Sequence, residues 1–206
     1  MTSTPARNLR PHNGHRVACR NQERSSAILF LVKTFPSVYF FHGKGGSPSG
    51  TVSQLEAAFR DLFPHARCIR PELPHHDPEL PAERSLPFVE GLNIPEQSLV
   101  IGVSLGGMVA ARVQETSRAD LHVVCISSPT WADAVKLEKE MPNRLALYSS
   151  NDDVIAGRTA DWPRLADAHD LPWLTHQTDA HIANLHELVR AYMQDEGIEE
   201  AAQRLR

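Results

Sequence analysis

Leu99 to Val103 are apolar or glycine at every position, and they run without a turn signal into Ser104, Leu105, Gly106, Gly107, Met108, Val109, Ala110 and Ala111. A continuous apolar run of that length suits a parallel strand buried on both faces. The small residues after it suit a helix laid close against the sheet. The chain must therefore turn sharply at Ser104. A serine in such a corner is pushed towards sparsely populated dihedrals, and Gly102 and Gly106 relieve the crowding around it. Its hydroxyl then projects above the strand end, near the positive end of the new helix. In this setting Gly102-Val103-Ser104-Leu105-Gly106 reads as a nucleophile turn, against the alternative of a buried structural serine.

A serine nucleophile needs an acid and a histidine, which follow it in that chain order in this kind of site. Leu145 to Tyr148 reads as a strand ending in Ser149, Ser150, Asn151, Asp152 and Asp153. Asp152 is taken as the acid that orients the imidazole, with Asp153 as the neighbouring alternative; an Asp there also serves as a turn residue. Trp173 to Thr175 reads as a last strand, and His181 lies in the loop before a helix carrying Ile182, Leu185, Leu188, Val189 and Tyr192. His181 is therefore taken as the base. His176, inside that strand, and His186, one turn into that helix, are its rivals.

An acyl-transfer site also needs backbone donors where negative charge develops. The strand Val38 to Phe41 enters His42, Gly43, Lys44, Gly45, Gly46 and Ser47. One oxyanion donor is expected from the amide of Leu105 and a second from the amide of Lys44, with His42, Gly43 and Trp131 as substrate-binding residues. The loop is not a phosphate cradle of the P-loop kind, because Lys44 is followed by glycines rather than Ser or Thr. Thr51, with Gln54 three residues on, reads as a capping box for a helix over Val52, Leu55, Ala58, Phe59 and Leu62.

With the His42-Gly43 loop, the Ser104 turn, Asp152 and His181, the chain from about residue 36 to 194 resembles small, lidless serine hydrolases of the α/β-hydrolase superfamily. In outline it is similar to the YqiA-like esterases and those resembling retinoblastoma-binding protein 9. The resemblance implies an α/β fold, a doubly wound and mostly parallel sheet of about six strands with helices on both faces and no large cap. It also implies a Ser-His-Asp site at the carboxyl ends of the strands. Lys44 departs from the apolar or aromatic residue more usual after His42-Gly43. The activity expected is cleavage of a small ester or thioester through an acyl-enzyme, with no metal or organic cofactor. A catalytically silent binding module is one alternative, and a peptidase, lactonase or acyltransferase using the same residues is another.

Alternating strands and helices select a parallel sheet. The strands are expected at Val38 to Phe41, Arg67 to Arg70, Leu99 to Val103, His122 to Ser127, Leu145 to Tyr148 and Trp173 to Thr175. The interval Ser128 to Asn143 is too short for a cap domain, so an open site preferring short acyl groups is expected. His75, His76 and Asp77 read as a polar loop rim rather than a metal site. Residues 27–206, with 41% apolar content over the whole chain, suit one domain. Residues 1–26 hold five arginines and one acid, a basic extension expected to be disordered, and leave −8 on the remainder of a chain of net −4. That acidic remainder argues against nucleic-acid binding. No apolar run is long enough to span a membrane. Three dispersed cysteines, Cys19, Cys68 and Cys125, suggest reduced thiols and a cytoplasmic location.

Overall fold

The computed structural model describes residues 32–205. The basic extension and Cys19 lie outside them. Six parallel strands form the main sheet: β1 (Ser37–Phe41), β2 (Arg67–Ile69), β3 (Leu99–Val103), β4 (His122–Ile126), β7 (Arg144–Tyr148) and β8 (Asp167–Asp170). Their order is β2-β1-β3-β4-β7-β8. A separate two-stranded hairpin, β5 (Trp131–Ala132) with β6 (Val135–Lys136), fills the interval expected to be too short for a cap.

The inner strands are buried at every position in β1, β3 and β7, as their unbroken apolar runs require. Period-two alternation then divides their side chains between two cores. Val38, Phe40, Leu99, Ile101, Val124, Ile126, Leu145 and Leu147 point to one face. There they meet α1 (Thr51–Phe59), α5 (Ile182–Met193) and α6 (Ile198–Gln203). Tyr39, Phe41, Val100, Val123, Cys125, Ala146 and Tyr148 point to the other. They pack on α2 (Ser85–Glu90), α3 (Leu105–Thr116) and α4 (Trp162–Leu165). Cys125 is fully buried there and its thiol is pushed up to about 12 by desolvation; Cys68, on the edge strand β2, is only half-buried.

Two expectations are corrected. The last strand is Asp167–Asp170, not Trp173 to Thr175. As an edge strand with polar ends it shows no apolar signature, while Leu174 is buried from an irregular loop. Helix α1 is entered through Gly50 without a side-chain cap, so the Thr51 and Gln54 capping box does not form. Ser53 Oγ instead donates to the Gly50 carbonyl at 2.8 Å.

The strand order reverses between β1 and β3, because the chain leaves β1 for β2 before returning to β3 on its other side. Ligands in open α/β sheets sit beyond the carboxyl ends of the strands at such a switch point. The His42 loop and Ser104 leave those two strands side by side.

Candidate active site

Ser104 follows the last residue of β3 and precedes the first of α3, with φ 51° and ψ −124°, the strained corner expected from the sequence. Its amide donates to the Ile126 carbonyl at 2.9 Å, which pins the corner to the end of β4. The neighbouring glycines are required by close approach. A Cβ on Gly106 would lie 2.4 Å from the His42 carbonyl oxygen, and one on Gly102 would lie 2.4 Å from the Gly107 backbone. A Cβ on Gly43 would stand 3.1 Å from Ser104 Cβ, so the loop after β1 is pressed against the serine.

That loop is held by two buried histidines. His42 Nδ1 donates to the Gly43 carbonyl at 2.9 Å and its Nε2 accepts the Leu73 amide at 3.0 Å. His75 Nε2 lies 2.8 Å from the His42 carbonyl, which can only accept. The ring proton is therefore on Nε2, and Nδ1 accepts the Ser85 hydroxyl at 2.8 Å. Burial holds both rings neutral, His42 below its ordinary value and His75 down to about 4. His75 is thus a buried strut under the loop rather than a polar rim. His76 is exposed, and no cluster of metal-binding type occurs among the described residues.

Asp152 is buried in the turn after β7. Its Oδ1 accepts the amides of Val154 at 2.9 Å and Ile155 at 3.3 Å, leaving Oδ2 to accept from His176 Nδ1 at 3.1 Å. Asp153 is exposed. With Nδ1 donating to the carboxylate, a neutral His176 carries its lone pair on Nε2, and the residue lines the space beside Ser104. That Nε2 has no hydrogen-bond partner among the described residues. His181 is elsewhere: its Nε2 meets Thr175 Oγ1 at 2.9 Å and its ring lies 5.5 Å from that of Trp173. His186 pairs with Asp61 and Glu187 on the outer side of α5.

The structure thus brings His176, rather than the expected His181, to the Asp152 carboxylate, and the reason is the misplaced last strand. Because β8 ends at Asp170, His176 is the first histidine of the loop beyond it. The same loop is tied to β4 through Ser127 Oγ, which donates to the Thr175 carbonyl at 3.3 Å. Pro172, ahead of an irregular turn, was the available sign that Trp173 to Thr175 is not a strand interior.

Two clefts meet at Ser104. One, of about 180 Å³, is lined by His42, Gly43, Thr51, Val52, Ser104 and His176. The other, of about 380 Å³, is lined by Lys44, Ser104, Leu105, Pro129, Ile155 and His176 among others. Lys44 and Leu105, whose amides were expected as oxyanion donors, thus border the same cleft as the serine. His42 and Gly43 line the smaller one. Trp131, expected to bind substrate, is 43% exposed and lines neither cleft itself; the Arg158 guanidinium on the larger cleft lies 5.7 Å from its ring centroid.

No family model and no curated protein sequence matches the chain. Solved structures do. An alpha/beta-superfamily protein from Xanthomonas campestris pv. campestris is 18% identical with a TM-score of 0.58, the match covering 78% of this chain and 99% of that one. MGS-MChE2, an alpha/beta hydrolase enzyme from the metagenome of Mar Chica lagoon sediments, is 17% identical with a TM-score of 0.61, over 80% and 92%. Est1E from Butyrivibrio proteoclasticus, solved with ferulic acid bound, is 12% identical with a TM-score of 0.56, over 79% and 90%. The chain has the α/β-hydrolase fold. No helix among the described residues is long and apolar enough to cross a membrane.

Proposed function

We propose that the protein is a serine hydrolase of small esters or thioesters, with Ser104 as nucleophile, His176 as base and Asp152 as the orienting acid. The observation that carries this reading is the His176 Nδ1 to Asp152 Oδ2 contact of 3.1 Å, with the same imidazole bordering both clefts that meet at Ser104. Neutral Nε2 takes the Ser104 proton as Oγ attacks the carbonyl carbon. The oxyanion is received by the amides of Leu105, which opens α3, and Lys44. The tetrahedral adduct collapses, the alcohol or thiol leaves with the proton held on Nε2, and an acyl-enzyme remains. Water, deprotonated by His176, then releases the acid and restores the serine. The short β5–β6 hairpin in place of a cap favours short acyl groups.

The test combines fluorophosphonate labelling with turnover of p-nitrophenyl acetate and butyrate. Ser104→Ala should lose both. His176→Ala should lose turnover by about 10³-fold or more, and Asp152→Asn by about 10³ to 10⁴. His181→Ala and Asp153→Asn should stay within a few-fold of the parent. If His181→Ala is the silent variant, or if the parent neither labels nor turns over any ester, thioester or lactone, the proposal is wrong.

A further inference from the structure

The larger cleft carries a charge pattern at odds with the rest of the domain, which holds −8 outside the basic extension. Lys44 and Arg158 both line it. Most arginines elsewhere among the described residues, Arg67 and Arg84 aside, are matched to carboxylates: Arg60 and Arg70 to Glu56, Arg118 to Asp120, Arg190 to Glu187. Arg158 has no such partner among the described residues, yet it is held in place. Its Nη2 donates to the Val154 carbonyl at 2.7 Å, its guanidinium faces the Trp131 ring, and its own carbonyl accepts the Thr130 amide at 2.7 Å. Lys136 stands directly opposite Trp131 across the β5–β6 hairpin, and so on the same face. It too is free of an ion pair among the described residues. The one carboxylate on the cleft wall is Asp133, and its Oδ2 is engaged by the Ala82 amide at 2.9 Å.

A cation oriented by stacking and by a backbone acceptor, and left without a counter-charge, has its ordering entropy already met. It is suited to receive an anion from solution. We propose that the substrate of the serine-hydrolase site carries a carboxylate on its acyl group, received by Arg158 with Lys44 as the second cation at the cleft mouth. This rests on the serine-hydrolase reading and narrows it to half-esters or half-thioesters of short dicarboxylic acids.

The experiment compares kcat/KM for p-nitrophenyl hemisuccinate and hemiglutarate with that for the neutral p-nitrophenyl butyrate and valerate. In the full chain the anionic esters should be preferred by roughly tenfold at low ionic strength, and the ratio should fall as salt is raised. Arg158→Gln should lower the anionic-to-neutral ratio about fivefold or more, Lys44→Gln should lower it less, and Arg158→Lys should restore part of it. A ratio is read because it is insensitive to losses shared by both substrates. A parent ratio at or below one, or a ratio unmoved by both Arg158→Gln and salt, overturns the proposal while neutral-ester turnover leaves the hydrolase reading standing. Absence of turnover and of fluorophosphonate labelling overturns both.

Discussion

Lowering the pH should destabilise the fold through His75. The ring is completely buried between Ser85 Oγ and the His42 carbonyl, and desolvation depresses it from 6.5 to about 4. Between those values the unfolded chain binds a proton that the native state refuses, so stability is present above pH 6.5 and is lost as the pH falls. With 1.36 kcal/mol for each tenfold step in proton concentration, the loss is about 2 kcal/mol at pH 5 and about 3 kcal/mol at pH 4. His42 and His122 are depressed in the same direction by burial and add to the slope. The assay is urea unfolding followed by tryptophan fluorescence from pH 7.5 to 4.5, with the linear slope checked for constancy. His75→Gln should be less stable at pH 7.5 by about 1–3 kcal/mol, because a buried partner is disturbed. Its stability should fall less steeply, so the gap to the parent narrows by about 2 kcal/mol at pH 5. Parallel profiles for parent and variant would refute the argument, since they would mean that His75 takes up its proton equally in the native and unfolded states.

Two further substitutions probe the frame around the site. Glu115→Ala should cost about 3–5 kcal/mol in urea unfolding, because Arg144, 1% exposed, would lose the carboxylate 3.2 Å away and keep its charge in the core; a loss under 1 kcal/mol would show that water reaches the guanidinium. Gly106→Ala should cost about 2–3 kcal/mol and reduce ester turnover as well, because its Cβ meets the carbonyl oxygens of Phe41 and His42 at 2.5 and 2.4 Å and must displace the loop that brings Lys44 to the cleft. Full activity in that variant would separate the loop from the oxyanion role.

What the sequence alone determined lies where local pattern and burial agree. Leu99–Val103 is apolar because both faces of β3 are covered, and Ser104 is cornered because glycine alone fits beside it. Asp152 precedes two amides that one carboxylate oxygen can accept, which is a contact within four residues. Which histidine meets Asp152 is visible only in the tertiary structure. The edge strand β8 is polar because one of its sides lacks a neighbour, so no apolar alternation marks it, and the buried Leu174 in the following loop imitates the strand that is absent. His75 hid for a related reason: a histidine in a polar run is solvated unless a distant acceptor reaches it, and the His42 carbonyl is thirty-three residues away along the chain. Contacts made across the sheet end leave no spacing in the sequence, since they are set by which strands lie side by side and not by which residues are neighbours in the chain.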